Sequence, residues 1–147
     1  MTKYFIFDES TYELVNVVDS PDYPKTCNLV IPCAKDNQLA TMLTIQDLFQ
    51  KRLGTEYNTQ YIMNHALYAD AEIHEFLREL EGFKAWKKYD WNKEEREIHL
   101  SAAKEEFVDV LHFIFNIANA IGLTADEIFE IYLKKNEVNH IRQDNNY

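Results

Sequence analysis

Glycine and proline are scarce in this chain of 147 residues, with three of each. This usage is far below average and argues against a collagen-like chain or a turn-rich β-sandwich. All three prolines lie before residue 33, so no proline interrupts a helix in the rest of the chain. No run of about 18 apolar residues predicts a membrane span. The N-terminus reaches charged residues too early for a signal peptide.

Positive charge is also in short supply, since 15 Lys and Arg face 25 Asp and Glu, for a net charge of −10. Binding of nucleic acid needs a cationic surface, so nucleic acid is not an expected partner. The two cysteines, Cys27 and Cys33, have no Cys or His at metal-binding spacing, which favours a reducing cytoplasm. Hydrophobic residues make up 46% of the chain, enough for a real core.

The chain divides into residues 1–36, an N-terminal extension, and residues 37–147, a helical domain. Two β-prone runs, at residues 4–7 and 12–18, predict a short hairpin in the extension. Apolar residues at helical period predict four helices, at about residues 36–53, 58–80, 92–121 and from 124 onwards. The fourth opens with an S/T-x-x-E capping box at residues 124–127. Short connections make neighbouring helices antiparallel, so the predicted fold class is an all-α antiparallel bundle with a hairpin extension.

Two pairs of carboxylates lie on the central helices at i, i+3 spacing, Glu72 with Glu75 and Glu106 with Asp109. Residues 107–121 are apolar on nearly every side, which predicts a helix that is buried almost all round. Carboxylates that converge in such a core repel one another and lose hydration, so they would either take up protons or share a cation. Carboxylate oxygens favour Mg²⁺, with Mn²⁺ as a substitute. The alternative is a pair of solvated helix faces, which arise by chance in an acidic helical protein.

Cationic side chains occur where phosphate chemistry would need them. A hard cation held by carboxylates usually bridges phosphate oxygens and activates a water molecule. Lys84 lies between the two acidic helices, and Lys135, Asn139 and Arg142 follow at i, i+4 and i+7 on one face of the last helix. The alternative for the last helix is that its lysines complement the helix dipole.

The combined motifs resemble the all-α NTP pyrophosphatase superfamily, which includes MazG-like proteins. Glu-x-x-Glu followed by Glu-x-x-Asp on the next long helix carries this resemblance. The C-terminal run Lys135-Asn136-x-x-Asn139-x-x-Arg142-Gln143-x-x-x-Tyr147 is similar to the last motif of the dimeric all-α dUTPases. Gly82-Phe83-Lys84-x-Trp86 and Gln46 resemble two further segments of that family. The resemblance covers residues 38 to 147 and leaves the extension outside.

The resemblance implies Mg²⁺-dependent hydrolysis of dUTP to dUMP and pyrophosphate, with dUDP also accepted, by a homodimer. Glu72, Glu75, Glu106 and Asp109 would bind the metal, and Glu75 would orient the attacking water. Together with Lys84, whose charge suits phosphate, the implied substrate contacts are Gln46, Trp86, Asn116, Lys135, Asn139, Arg142 and Tyr147.

Two alternatives stay open. The first is a related pyrophosphatase that acts on dCTP or on several (d)NTPs, because Gln50 stands where the family commonly carries Asp or Asn. The second is a helical interaction protein without enzymatic activity, in which chelation of metal would leave the function untouched.

Overall fold

The structure, a computed structural model, describes residues 3–19, 28–33 and 37–144. Its elements, in chain order, are the strands β1 (Lys3–Asp8), β2 (Leu14–Val18) and β3 (Asn28–Cys33) and the helices α1 (Gln38–Arg52), α2 (Thr59–Arg78), α3 (Lys93–Ala120) and α4 (Ala125–Asp144). The predicted class, four main helices with a small β element at the N-terminus, is confirmed.

Contacts divide the chain into two compact units. One joins the residues up to Thr55 with those from Ile121 onwards, and the other is Glu56–Ala120. The three strands, α1 and α4 belong to the first unit, and α2 and α3 form the second. The predicted boundary between an extension and a helical domain, at residues 36 and 37, stays a prediction.

The N-terminal sheet contains the predicted hairpin. Strands β1 and β2 pair antiparallel, and β1 is central in the order β2-β1-β3. Asp8 fixes the turn between them, because its Oδ1 accepts hydrogen bonds from the backbone N–H groups of Ser10 (2.9 Å) and Thr11 (2.8 Å). The Ser10 hydroxyl also donates to Oδ1 (2.6 Å), and this bond, followed by the two backbone bonds, lowers the pKa of Asp8 to about 2.

Strand β3 was missed by the sequence analysis, which predicts only two strands here. Val30 and Ile31 suit a strand, but Pro32 argues against one. Among the described residues β3 pairs only with β1, so the missing N–H of proline is tolerated at the sheet edge. The Pro32 carbonyl accepts hydrogen bonds from Asn37 Nδ2 (3.1 Å) and Thr41 Oγ1 (3.3 Å), which fastens the start of α1 to the sheet.

Helices α2 and α3 pack against each other as an antiparallel pair. Phe76 lies beside Phe107, with ring centroids 6.0 Å apart, and Tyr68 lies beside Phe113 at 5.5 Å. Residue numbers therefore fall along one helix as they rise along the other. The buried residues of this pair are Tyr61, Ala69, Ala103, Val110, Phe115, Asn116 and Ala118. Small side chains at the contact allow the two axes to approach closely.

Side-chain caps define where the helices begin. Asn58 accepts from the N–H of Tyr61 at the start of α2. Before α4, the N–H of Glu127 donates to Thr124 Oγ1 (3.2 Å) and the N–H of Thr124 donates to Glu127 Oε2 (2.9 Å). The predicted capping box is thus confirmed, and its hydrogen bonds lower the pKa of Glu127.

The expectation that α3 is buried almost all round is wrong for the single chain. Phe107 is 51% exposed, and Val108 and Ile114 are nearly as open. Only α2 packs along α3 within the unit Glu56–Ala120, so α3 buries one side and leaves apolar residues on the other. Helix α4 goes further, since its described residues from Phe129 onwards are all exposed. No single helix in the described residues is long and apolar enough to cross a membrane.

Candidate active site

Three of the four predicted metal ligands come together between α2 and α3. Glu72 lies on α2, while Glu106 and Asp109 lie one turn apart on the same side of α3. The antiparallel packing brings residue 72 level with residues 109 and 110. One carboxylate oxygen from each of the three residues lies within 4.8 Å of the other two. We call these three residues the acidic cluster.

The donor set of the acidic cluster fits a hard divalent cation. All its donors are carboxylate oxygens, the ligand type that Mg²⁺ and Mn²⁺ prefer. Oxygens around one cation lie within about 4–5 Å of one another, since each metal–oxygen bond is about 2.0–2.6 Å long. The spacing within the cluster is therefore short enough for one ion to bridge all three residues.

Glu75 lies outside the acidic cluster, although it is one turn from Glu72. Its side chain is 49% exposed, and Oε1 lies 3.7 Å from a guanidinium nitrogen of Arg78. Its charge nevertheless reaches the cluster, because it acts on Glu106. The predicted metal-binding and water-orienting roles of Glu75 stay predictions.

The electrostatics of the acidic cluster centre on Glu106. Loss of hydration raises the pKa of Glu106 first, and the negative charges of Glu75, Asp109, Glu72 and Glu79 raise it further. The cluster is thus a place where charged carboxylates oppose one another. A bound cation would replace this repulsion with attraction.

The connection between α2 and α3 carries two of the predicted substrate residues. Trp86 is 84% exposed, so its indole is accessible to a planar ring. The backbone N–H of Lys84 donates to the hydroxyl of Tyr89 (2.9 Å), while Lys84 itself is exposed. Both residues belong to the same unit as the acidic cluster.

Helix α4 presents the predicted cationic stripe on one face. Lys135, Asn139 and Arg142 share a shallow pocket with Ile131, Lys134 and Val138. The i, i+4, i+7 spacing puts the two cations and the amide on this face. Tyr147, which ends the same motif, lies outside the described residues.

Two predicted substrate residues have amide side chains. Gln46 is half-buried on α1 in the first unit. Asn116, on α3 in the second unit, is 2% exposed, and its Oδ1 has no hydrogen-bond partner among the described residues. A buried amide oxygen without a donor is costly, which makes Asn116 a candidate for contact with a bound molecule.

The structure also pairs Glu79 with His99, a contact that the sequence analysis does not predict. His99 Nδ1 lies 2.6 Å from Glu79 Oε2, and both side chains are more than half buried. A signal was available in the spacing, since Glu79 follows Glu72 by seven residues and His99 precedes Glu106 by seven. Such spacing puts both residues on the helix sides that carry the acidic cluster.

Comparisons with known proteins identify related sequences. A family model described as dUTPase matches residues 38–123 and 114–147. The dCTP pyrophosphatase of Enterobacteria phage T4 is 48% identical over 44 residues, which are 30% of this chain and 26% of that protein. The dCTP pyrophosphatase of Enterobacteria phage LZ5 is 46% identical over 44 residues, with the same two shares.

The chain thus aligns with 26% of the length of each of these curated relatives. No solved structure matches it. The two family-model matches together run from α1 through α4, well over half of the 147 residues. On this evidence the chain belongs to the all-α dUTPase family.

Proposed function

We propose that this protein is a Mg²⁺-dependent pyrophosphatase that hydrolyses dUTP to dUMP and pyrophosphate and also accepts dUDP. The observation that carries the proposal is the acidic cluster, in which three carboxylates of a dUTPase-family chain lie within 4.8 Å of one another. Bound Mg²⁺ would supply charge for the phosphate oxygens and acidify a water molecule, and Mn²⁺ would substitute for it.

Glu75 is proposed as the residue that orients the attacking water. It lies one turn from Glu72, and its exposed carboxylate is open to solvent. An ionised carboxylate accepts hydrogen bonds from water and can take a proton from it. Glu75 would also serve as the fourth metal ligand when a cation draws it toward the acidic cluster.

The cationic residues are proposed to bind the phosphates. The Arg142 guanidinium can donate two parallel hydrogen bonds to one phosphate group, and Lys135 adds a point charge on the same face of α4. Asn139 lies between them in the stripe and would donate its amide N–H. Lys84 and Tyr147 complete the proposed contacts to phosphate and sugar.

The base is proposed to lie against Trp86, with Gln46 and Asn116 reading its edge. The exposed indole offers a flat surface on which a pyrimidine can stack. The buried Asn116 Oδ1 would accept a hydrogen bond from the N3–H of uracil, which would supply the donor it lacks.

Hydrolysis of dCTP is the second candidate function. The two matching phage proteins are named dCTP pyrophosphatases, although the alignment covers only 44 residues. The amide oxygen of Asn116 could accept from the exocyclic amine of cytosine as well as from uracil N3–H. Gln50, which is buried on α1, is where the sequence departs from the dUTPase pattern.

A homodimer is proposed as the working state. Exposed apolar side chains continue along both helices of the second unit, and they include Met63, Leu67, Ile73, Phe107, Val108 and Ile114. An apolar surface of this kind on a monomer marks an interface. A second copy of the chain would cover it and remove it from water.

Product analysis with purified protein tests the proposal. Incubation with Mg²⁺ and dUTP, dCTP, dTTP or dATP should release pyrophosphate fastest from dUTP. Asp109→Asn should lose this activity, whereas Glu97→Gln, an exposed glutamate on the same helix, should keep it. Equal turnover of dCTP and dUTP would overturn the assignment to uracil. Absence of pyrophosphate with every nucleotide would favour the interaction protein, and hydrolysis that survives chelation would overturn the proposed dependence on Mg²⁺.

A further inference from the structure

Two side-chain pairs, His99 with Glu79 and Arg96 with Glu81, fasten the segment between α2 and α3 to α3. His99 Nδ1 lies 2.6 Å from Glu79 Oε2, at the beginning of the segment. Arg96 donates two hydrogen bonds to Glu81, of 2.8 and 3.1 Å. Hydrogen bonds between charged groups are stronger than neutral ones, and the two parallel bonds of Arg96 also fix direction.

An aromatic stack continues from His99 into the same segment. The ring of Trp91 lies parallel to the imidazole, with centroids 3.9 Å apart and an angle of 6°. Tyr89 meets the indole edge-on, at 5.3 Å and 88°, and its hydroxyl accepts from the N–H of Lys84. A continuous series of contacts therefore runs from His99 through Trp91 and Tyr89 to the backbone of Lys84, between Phe83 and Ala85.

This stack carries most of the packing in the segment. Trp91 and Tyr89 are partly buried, whereas residues 81–88 are all exposed. A segment with little buried surface has few contacts that hold one conformation. The shape of the part that bears Lys84 and Trp86 therefore depends on the contacts at its two ends.

His99 also connects this segment with the acidic cluster. Glu79, its partner, is near enough for its charge to act on Glu106. His99 itself lies two turns before Glu106 on α3. The imidazole thus contacts Trp91 in the segment and Glu79, whose negative charge acts on the proposed metal site.

We propose that His99 is a positioning residue that holds the α2–α3 connection in the shape that receives the nucleotide. It acts through Glu79, by a hydrogen bond, and through Trp91, by stacking, and it does not touch the substrate. The inference rests on the proposed function, because it assigns Lys84 and Trp86 of this connection to substrate binding.

Three substitutions separate the two contacts of His99. His99→Gln keeps a hydrogen-bond donor for Glu79 and loses the stack, His99→Phe keeps the stack and loses the hydrogen bond, and His99→Ala loses both. We expect His99→Ala to raise KM for dUTP about tenfold, since a hydrogen bond to a charged group is worth at least that factor. The value of kcat should change little, and the two partial replacements should give intermediate KM values.

Fluorescence provides a readout that is independent of activity. In a Trp86→Phe background Trp91 is the remaining tryptophan. Loss of the stack should make its emission more accessible to acrylamide in His99→Ala and His99→Gln, while His99→Phe should protect it. Ser101→Ala, an exposed change on another side of α3, is the matched control and should alter neither KM nor quenching.

The outcomes separate this inference from the proposed function. Unchanged quenching in His99→Ala, with helical circular dichroism intact, would overturn the positioning role whatever the substrate. A fall in kcat at constant KM would also overturn it, because that result indicates a part in the chemistry. If no nucleotide is hydrolysed by the wild type, the proposed function fails, and the quenching series still decides whether His99 holds the segment.

Discussion

The acidic cluster and the cationic stripe of α4 differ in how far the packing of the fold determines their geometry. The carboxylates lie on two helices that bury side chains against each other, so packing sets their separation. The stripe lies on a helix with no buried residue, and the i, i+4, i+7 spacing places Lys135, Asn139 and Arg142 on one face of that helix. Metal binding should therefore be largely a property of the folded chain, whereas phosphate binding should depend on what covers α4.

The largest expected effect concerns the acidic cluster, whose geometry is set by the packing of two helices. Glu106→Gln removes a charge at the centre of the acidic cluster without a change in shape. We expect turnover of dUTP to fall by a factor of about 10²–10³ or more, the usual cost of a lost electrostatic contact in an active site. Steady-state release of pyrophosphate measures the loss, with circular dichroism as the check on folding. Activity within twofold of wild type would contradict a catalytic role for the cluster.

Arg142→Ala tests the contribution of the cationic stripe of α4 to phosphate binding. We expect KM for dUTP to rise about 10–100-fold, because a hydrogen bond to a charged group contributes about 1.5–3 kcal/mol. Stabilisation by Mg²⁺ should be the same as in the wild type, since Arg142 is not one of the carboxylates of the acidic cluster. Arg142→Lys should recover part of the loss. A variant that loses the response to Mg²⁺ would show that the two regions are not independent.

The smallest effect concerns stability without substrate. At about 100 times its dissociation constant, Mg²⁺ should stabilise the folded state by about 2.7 kcal/mol, because it binds the assembled carboxylates and not the unfolded chain. The corresponding rise in Tm is about 5–10 °C for a chain of this size. Differential scanning calorimetry with and without EDTA measures it. An unchanged midpoint would contradict a preformed metal site.

The rise in Tm caused by Mg²⁺ should become larger as the pH increases. The pKa of Glu106 is raised in the folded state, so without metal its contribution to stability is fully present below the ordinary value of 4.5. That contribution is lost as the pH rises through the raised value. Mg²⁺ competes with the proton, and its effect on Tm should be larger at pH 7 than at pH 5. Glu106→Gln should weaken this difference.

Local signals predict the helices well. The predicted limits of α2 and α3 differ from the observed ones by no more than two residues, because Asn58 and the glycines that follow the helices act within one turn. Strand β3 could not be predicted from its own residues, since Pro32 is acceptable only at an edge and the sequence does not give the strand order.

The candidate site also combines features that local sequence patterns indicate with features that depend on the packing of distant residues. The i, i+3 spacing of Glu106 and Asp109 indicates a shared face, but only the packing of α2 on α3 brings Glu72 to them. The seven-residue spacings place Glu79 and His99 on the helix sides that carry the acidic cluster, but their contact across 20 positions also needs the packing of α2 on α3. The surroundings of α3 were misjudged because an apolar helix can be covered by its own chain or by another copy.

The buried alanines Ala69 and Ala103 limit how the proposed metal site can vary. Ala69 lies one turn before Glu72, and Ala103 lies one turn before Glu106, so these two proposed ligands each lie next to a point of close helix contact. A bulkier residue at either point would widen the gap between the helices and with it the distance that a small ion must bridge. The preference of the proposed site for magnesium would then depend on the side chains of Ala69 and Ala103, although neither of them contacts the ion.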